Sequence, residues 1–168
     1  MKKINLFLAF IIIGISGTLW HFIYEWTGEN PIIGAVAPVN ESVWEHLKLL
    51  YFPALVYFII EFFLCKERYE NLIPAGAIGI FMGMLTITAF FYTYKGVLGF
   101  DIAALDIFSY FLGLGVTLFV KSRILRKKSF SSKTAKYLSL IITAVTAVLF
   151  VIWSFYPPRL AIFIPPAV

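Results

Sequence analysis

The chain has 168 residues, of which 61 % are hydrophobic and 14 % charged, with a mean hydropathy of +0.89. A soluble domain is about half apolar and about a quarter charged, so a water-soluble globule is excluded, and the 18 % aromatic content excludes disorder. A single cysteine excludes a disulfide scaffold, and the formal charge of +5 calls for no nucleic-acid partner, because the basic residues gather in loops as membrane topology requires.

The expected class is all-α: one integral membrane domain over residues 1–168, a bundle of five transmembrane helices with the lipid bilayer as its solvent. The first span is expected at about 4–24. Lys2 and Lys3 before it mimic the start of a signal peptide, but the apolar run is too long and no small-residue cleavage site follows. Residues 27–41 form a loop broken by Gly28, Pro31, Gly34 and Pro38, yet kept apolar by Ile32, Ile33, Val36 and Val39. Such a loop is expected at the interface or dipping back between helices, where its backbone must be covered by protein or line a wet cavity. The second span, 43–65, opens with Ser42 and Glu45 in capping-box spacing and contains Pro53.

The third span, 72–94, carries Ala75, Gly79 and Gly83 on one stripe. Small residues at this spacing let another helix approach closely, either a neighbour or a second copy. The fourth span, 100–120, contains Asp101, Asp106, Ser109 and Tyr110, and a basic loop over 121–136 follows it. The fifth span is 137–155. The apolar tail after it holds four prolines and is too short to cross again. Eleven of the 14 basic residues fall on the side of the N-terminus, Lys2, Lys3, Lys66, Arg68 and Lys121 among them. The N-terminus is therefore expected in the cytoplasm and the C-terminus outside, in the cell membrane.

The acidic residues point to chemistry. Glu61 sits near the inner end of the second span, with Glu67 and Glu70 in the loop after it. The other six, Glu25, Glu29, Glu41, Glu45, Asp101 and Asp106, map to the outer half together with both histidines, His21 and His46. His21 and Glu25 are one helical turn apart. Asp106 lies about 7.5 Å along the helix from Asp101 and is the deepest of the group. An outward-facing polar site on spans 1, 2 and 4 is therefore expected, formed by His21, Glu25, Glu41, Glu45, His46, Asp101 and Asp106, since charge inside a membrane faces a bundle interior or water. Its ligand classes are a small molecule, a lipid headgroup or a metal. Zn²⁺ takes His and carboxylate ligands, which makes His21, Glu25, Glu45 and His46 candidates. Hydrolysis by a membrane-embedded enzyme is the reaction such a site would support, with His21, Glu45 and Asp106 as catalytic candidates. Against it stand the small number of histidines, the lack of an H-E-x-x-H pattern and the plain structural uses of each residue: Glu45 as a cap, Lys48 as its counter-ion, Asp106 as a partner of Tyr110. Two other classes compete: a small transporter or its solute-binding subunit, with a polar path from Asp106 toward Glu61, and an accessory membrane protein that packs through Gly79 and Gly83.

The segment PVNESVWEHLKLLYFP, preceded by HFIYEWTGENP and followed later by FFYTYKGVLG, resembles a family of small bacterial polytopic membrane proteins of unknown function. The resemblance covers most of the chain. It rests on a His-x-x-x-Glu and an Asn-Glu-Ser-x-Trp-Glu-His pattern and singles out His21, Tyr24, Glu25, Asn40, Glu41, Trp44, Glu45 and His46. It implies a membrane helical fold and carries no activity with it.

Overall fold

The computed structural model describes residues 5–67 and 69–165. Lys2, Lys3 and Arg68, which entered the orientation argument, lie outside the described residues. Among the described residues seven α-helices run in chain order: α1 (Leu6–Trp20), α2 (Ile23–Trp26), α3 (Pro31–Gly34), α4 (Val43–Cys65), α5 (Leu72–Leu98), α6 (Ala103–Lys127) and α7 (Lys133–Phe155). A 3₁₀ turn at Ala161–Phe163 follows. Among the described residues there is no strand.

Among the described residues four helices, α4 to α7, are long and apolar enough to cross a membrane, as an integral membrane protein requires. Their outward surfaces are greasy. On α7 alone Leu138, Ile141, Val145, Val148 and Ile152 are exposed, a patch a soluble monomer rarely tolerates. The first expected span is shorter than its hydropathy suggests. α1 has 15 residues, about 22 Å at 1.5 Å per residue, because the helix stops at Trp20 and restarts for one turn at Ile23. His21 sits at that break.

The bundle is held by close backbone contact as well as by greasy side chains. α5 and α6 form its most extensive helix pair. A Cβ on Gly83 would lie 2.7 Å from the Gly113 carbonyl oxygen, and one on Gly79 would lie 2.6 Å from that of Thr117. The small-residue stripe of α5 is thus taken up by α6 of the same chain. Beside it, Leu50, Tyr51, Ala54, Ile80, Leu114 and Phe150 form the central core.

The boundaries of α5, α6 and α7 also differ from the sequence expectation. α5 continues to Leu98 and stops at Gly99, whose φ of 82° is left-handed and whose N–H bonds to the Lys95 carbonyl. α6 starts at Ala103 and runs to Lys127, so Lys121, Arg123 and Arg126 are helical and the connection to α7 is short. Lys121 is fully buried. Its ammonium pairs with Glu61 and lies 3.7 Å from the centroid of the Phe58 ring. Sequence reasoning placed it in a basic loop because positive residues crowd around it; the partner that lets it enter the core is 60 positions away.

Candidate functional site

The segment from Asn40 to His46 builds the site through local hydrogen bonds. The Asn40 side chain accepts from the Ser42 N–H at 2.9 Å. Ser42 is the N-cap of α4, its hydroxyl accepting from the Glu45 N–H at 3.4 Å. The reciprocal arm of a capping box is missing. The Glu45 carboxylate instead accepts from the Val39 N–H at 3.0 Å and from Lys48 Nζ at 2.8 Å. Lys48 Nζ also lies 2.9 Å from the Gly34 carbonyl, 3.1 Å from that of Ala37 and 2.6 Å from Ser154 Oγ, so its three protons are shared among four acceptors. Ser154 in turn donates to the second Glu45 oxygen at 2.7 Å. Both Glu45 and Lys48 are fully buried, and every polar atom of the pair is satisfied. Together with Trp20 Nε1 donating to the Val36 carbonyl at 2.9 Å, this network ties the 27–41 loop onto α1, α4 and α7. It covers backbone that lipid would leave unsatisfied. Trp44 anchors the same end of α4 among Phe150, Trp153 and Phe163.

One turn into α4, His46 behaves differently. Its Nδ1 lies 3.0 Å from the Ser42 carbonyl. A carbonyl only accepts, so Nδ1 carries a proton, and in the neutral ring Nε2 is then a bare lone pair. That Nε2 faces Glu41 Oε2 at 3.3 Å and His21 Nε2 at 3.3 Å. His21 Nε2 lies 3.7 Å from the same Glu41 oxygen. Three ligand atoms from the α1–α2 break, the loop and α4 therefore lie within 4.8 Å of one another. His21 Nε2 can carry the proton of its neutral ring and donate to either neighbour, so the three atoms can share a proton or, in its place, a metal ion. Bonds of about 2.0–2.2 Å in a tetrahedron around zinc place ligand atoms about 3.3–3.5 Å apart, close to the separations found. The hydrogen bond of Nδ1 to a carbonyl is also the usual way to orient a ligating histidine. Glu41 lies outside the helices, with 64 % of its side chain exposed. When His46 is protonated its Nε2–H donates to Glu41, which outweighs partial burial and holds the carboxyl below the ordinary value of 4.5.

The cluster stands at the rim of a cavity of about 490 Å³ between α1, α4, α5 and α6. Asp106 lines the same cavity. It sits in the first turn of α6, not deep in a span, and one of its carboxylate oxygens accepts from the Tyr94 hydroxyl. Tyr110 does not pair with Asp106. Its hydroxyl crosses to α1 and donates to the Ile13 carbonyl at 2.9 Å.

Of the seven residues expected to share a site, the cavity is lined by His21, Glu41, His46 and Asp106. Glu45 lies in the closed network with Lys48. Asp101 is held by Lys95, whose Nζ is 2.9 Å from both carboxylate oxygens. Glu25 is exposed on α2. The helical face expected for His21 and Glu25 is broken at residues 21–22, and the carboxylate at His21 is Glu41 instead. Ser154, Lys121 and Tyr94 went unnoticed as polar partners, because ordinary serines, lysines and tyrosines in greasy helices give no spacing signal.

No curated protein and no solved structure matches the chain. The comparison that does match covers residues 1–167, nearly the whole length and every element described above. The chain belongs to DUF6512, a family of unknown function.

Proposed function

We propose that this is a multi-pass membrane protein that binds a divalent transition-metal ion, zinc fitting best, through His21 Nε2, Glu41 Oε2 and His46 Nε2. The observation that carries the reading is the convergence of two imidazole nitrogens and a carboxylate oxygen at 3.3–3.7 Å beside a cavity. Two nitrogens and one carboxylate are a catalytic rather than a structural zinc set, since three protein ligands leave the fourth position open. In the hydrolytic form of this reading, His21, Glu41 and His46 would hold the ion, the ion would supply the acidity of a bound water, and Asp106, which lines the same cavity, would be the base available to it.

The proposed topology has five spans, with α1 and α2 together making the first, the N-terminus in the cytoplasm and the metal site facing outward in the cell membrane. Its support is the skew of eleven of 14 basic residues to one side, although Lys121 is spent on an internal pair. The transporter reading draws less support, because Glu61, at the far end of its path, is neutralised by Lys121. The accessory reading draws less as well, because its glycine face is occupied by α6.

The test is elemental analysis of the protein purified in mild detergent, beside a His21→Ala/His46→Ala variant. About one zinc per chain, lost in the variant, is expected. A metal-free protein that also fails to take up added zinc, with both forms equally stable, overturns the reading.

A further inference from the structure

The cavity below the histidines has a shape that the metal reading does not require. Its charged and imidazole side chains are His21, Glu41, His46 and Asp106. The rest of its wall is mainly apolar, Val43, Leu49, Ile87, Phe91 and Phe111 among it, and the hydroxyls of Thr18, Ser109 and Tyr110 there are spent on backbone carbonyls. The floor is closed. There Gly17 of the lining lies against the Leu49 carbonyl, where an added Cβ would come within 2.5 Å, and the hydroxyl of Tyr110 bridges α6 to α1. The side is open. Phe22, Ala103 and Ile107 line the cavity and are exposed, Phe22 at 42 % and Ile107 at 60 %. They flank a gap between the α1–α2 break and the start of α6, on a surface that meets lipid in a bilayer.

A volume of about 490 Å³ lies in the range of small-molecule sites, which span roughly 300–1,000 Å³ and combine apolar walls with a few convergent polar groups. Here the charged and imidazole groups are few beside the apolar wall, and the opening leads sideways into acyl chains. A water-soluble metabolite would leave the walls unused. We infer that the cavity is a side-opening site for a single-chain amphiphile. Its oxyanion head (a carboxylate or a phosphate) completes the coordination of the ion at His21, Glu41 and His46, and its hydrocarbon chain lies along Leu49, Ile87 and Phe111. The head-group half rests on the metal reading; the chain half rests on the cavity alone.

The probe is palmitate with a diazirine at the end of its chain, photolysed with the zinc-supplemented protein in phosphatidylcholine vesicles and mapped by mass spectrometry. The lipid face of α7, at Ile141 and Val148, serves as the internal reference for ordinary bilayer contact. Labelling of Leu49, Ile87 or Phe111 at least tenfold above that reference is expected. Ala103→Trp narrows the side opening from an exposed position and is expected to remove that excess without changing zinc content or α7 labelling. Ile107→Trp is the second blocking variant should Ala103→Trp fold poorly. Cavity labelling no higher than on α7, or unaffected by both blocking variants, overturns the chain site. Cavity labelling that persists undiminished in His21→Ala/His46→Ala overturns the head-group assignment. A protein that never holds zinc, yet is labelled in the cavity in an Ala103-dependent way, overturns the metal reading and leaves the chain site standing.

Discussion

Glu45 and His46 are neighbours at the start of α4, and they face opposite fates. Glu45 turns inward to Lys48, Ser154 and the Val39 N–H, in a network where each charge and each polar atom meets a complement. His46 turns to Glu41 and His21, where two imidazole nitrogens and a carboxylate oxygen converge with at most a proton to share. The first arrangement is closed: adding a ligand to it would cost hydrogen bonds already made. The second is open: its three atoms lie beside a cavity, at a spacing a metal ion could bridge. Buried polar groups with all partners present are doing structural work, whereas metal-ligating atoms that converge beside a cavity offer a binding site. Sequence position separates these two sites by one residue, and hydrogen-bond accounting separates them entirely.

The largest effect expected from breaking this contrast is at Lys48. Lys48→Met keeps the length of the side chain and strands the Glu45 carboxylate in the core, along with the Gly34 and Ala37 carbonyls. Loss of one partner from a buried ion pair costs about 3–5 kcal/mol. Thermal unfolding in detergent should show a severe loss of stability or of folded yield. A variant that melts with the native protein would mean that the network is not the clamp described here.

Gly83→Leu comes next. Its side chain would meet the Gly113 carbonyl of α6, and backbone cannot move aside as a flexible side chain can. Overpacking of this kind costs about 1–3 kcal/mol. Light scattering after size-exclusion should show an unchanged oligomeric state beside a lowered melting temperature. A change of oligomer with unchanged stability would place the glycine face at an external contact. Ser154→Ala removes the hydroxyl between Lys48 and Glu45 and leaves one carboxylate oxygen without its donor, a loss of about 1–3 kcal/mol. It should be readable as a smaller drop in the same melting experiment.

The membrane helices were legible because bilayer thickness demands long apolar runs, and the expected start of α4 coincides with the observed helix because Ser42 is a strong cap. What hydropathy does not see is where a helix breaks inside an apolar run. The interruption at His21 and Phe22 removes Glu25 from the face of His21, and no residue in HFIYEW announces it. The one-sided gathering of His and carboxylates was also legible, as charge placement. Its division into closed and open sets was not, because Lys48 is matched by Ser154, 106 positions on, and Asp101 is drawn off by a lysine that helix α5 carries past its expected end. Spacing rules reach one or two turns; these partners meet only after the bundle has formed.

The smallest expected effect on stability is at the open site, and it is the one that tells the two arrangements apart. Glu41→Gln keeps the shape of a side chain that is mostly exposed and removes its negative charge. If the site is open, little of the fold depends on that charge, and the melting temperature in metal-free buffer should change by an amount equivalent to about 0.5 kcal/mol or less. Zinc retention through gel filtration should fall sharply, since a neutral amide is a poor substitute for a carboxylate ligand. The same comparison at Glu45 runs the other way: Glu45→Gln should lower stability strongly while the ligand atoms at residues 21, 41 and 46 stay in place. Should Glu41→Gln destabilise the metal-free protein as much as Glu45→Gln does, the cluster at the histidines is a second clamp, held by a proton on His46, and not a binding site.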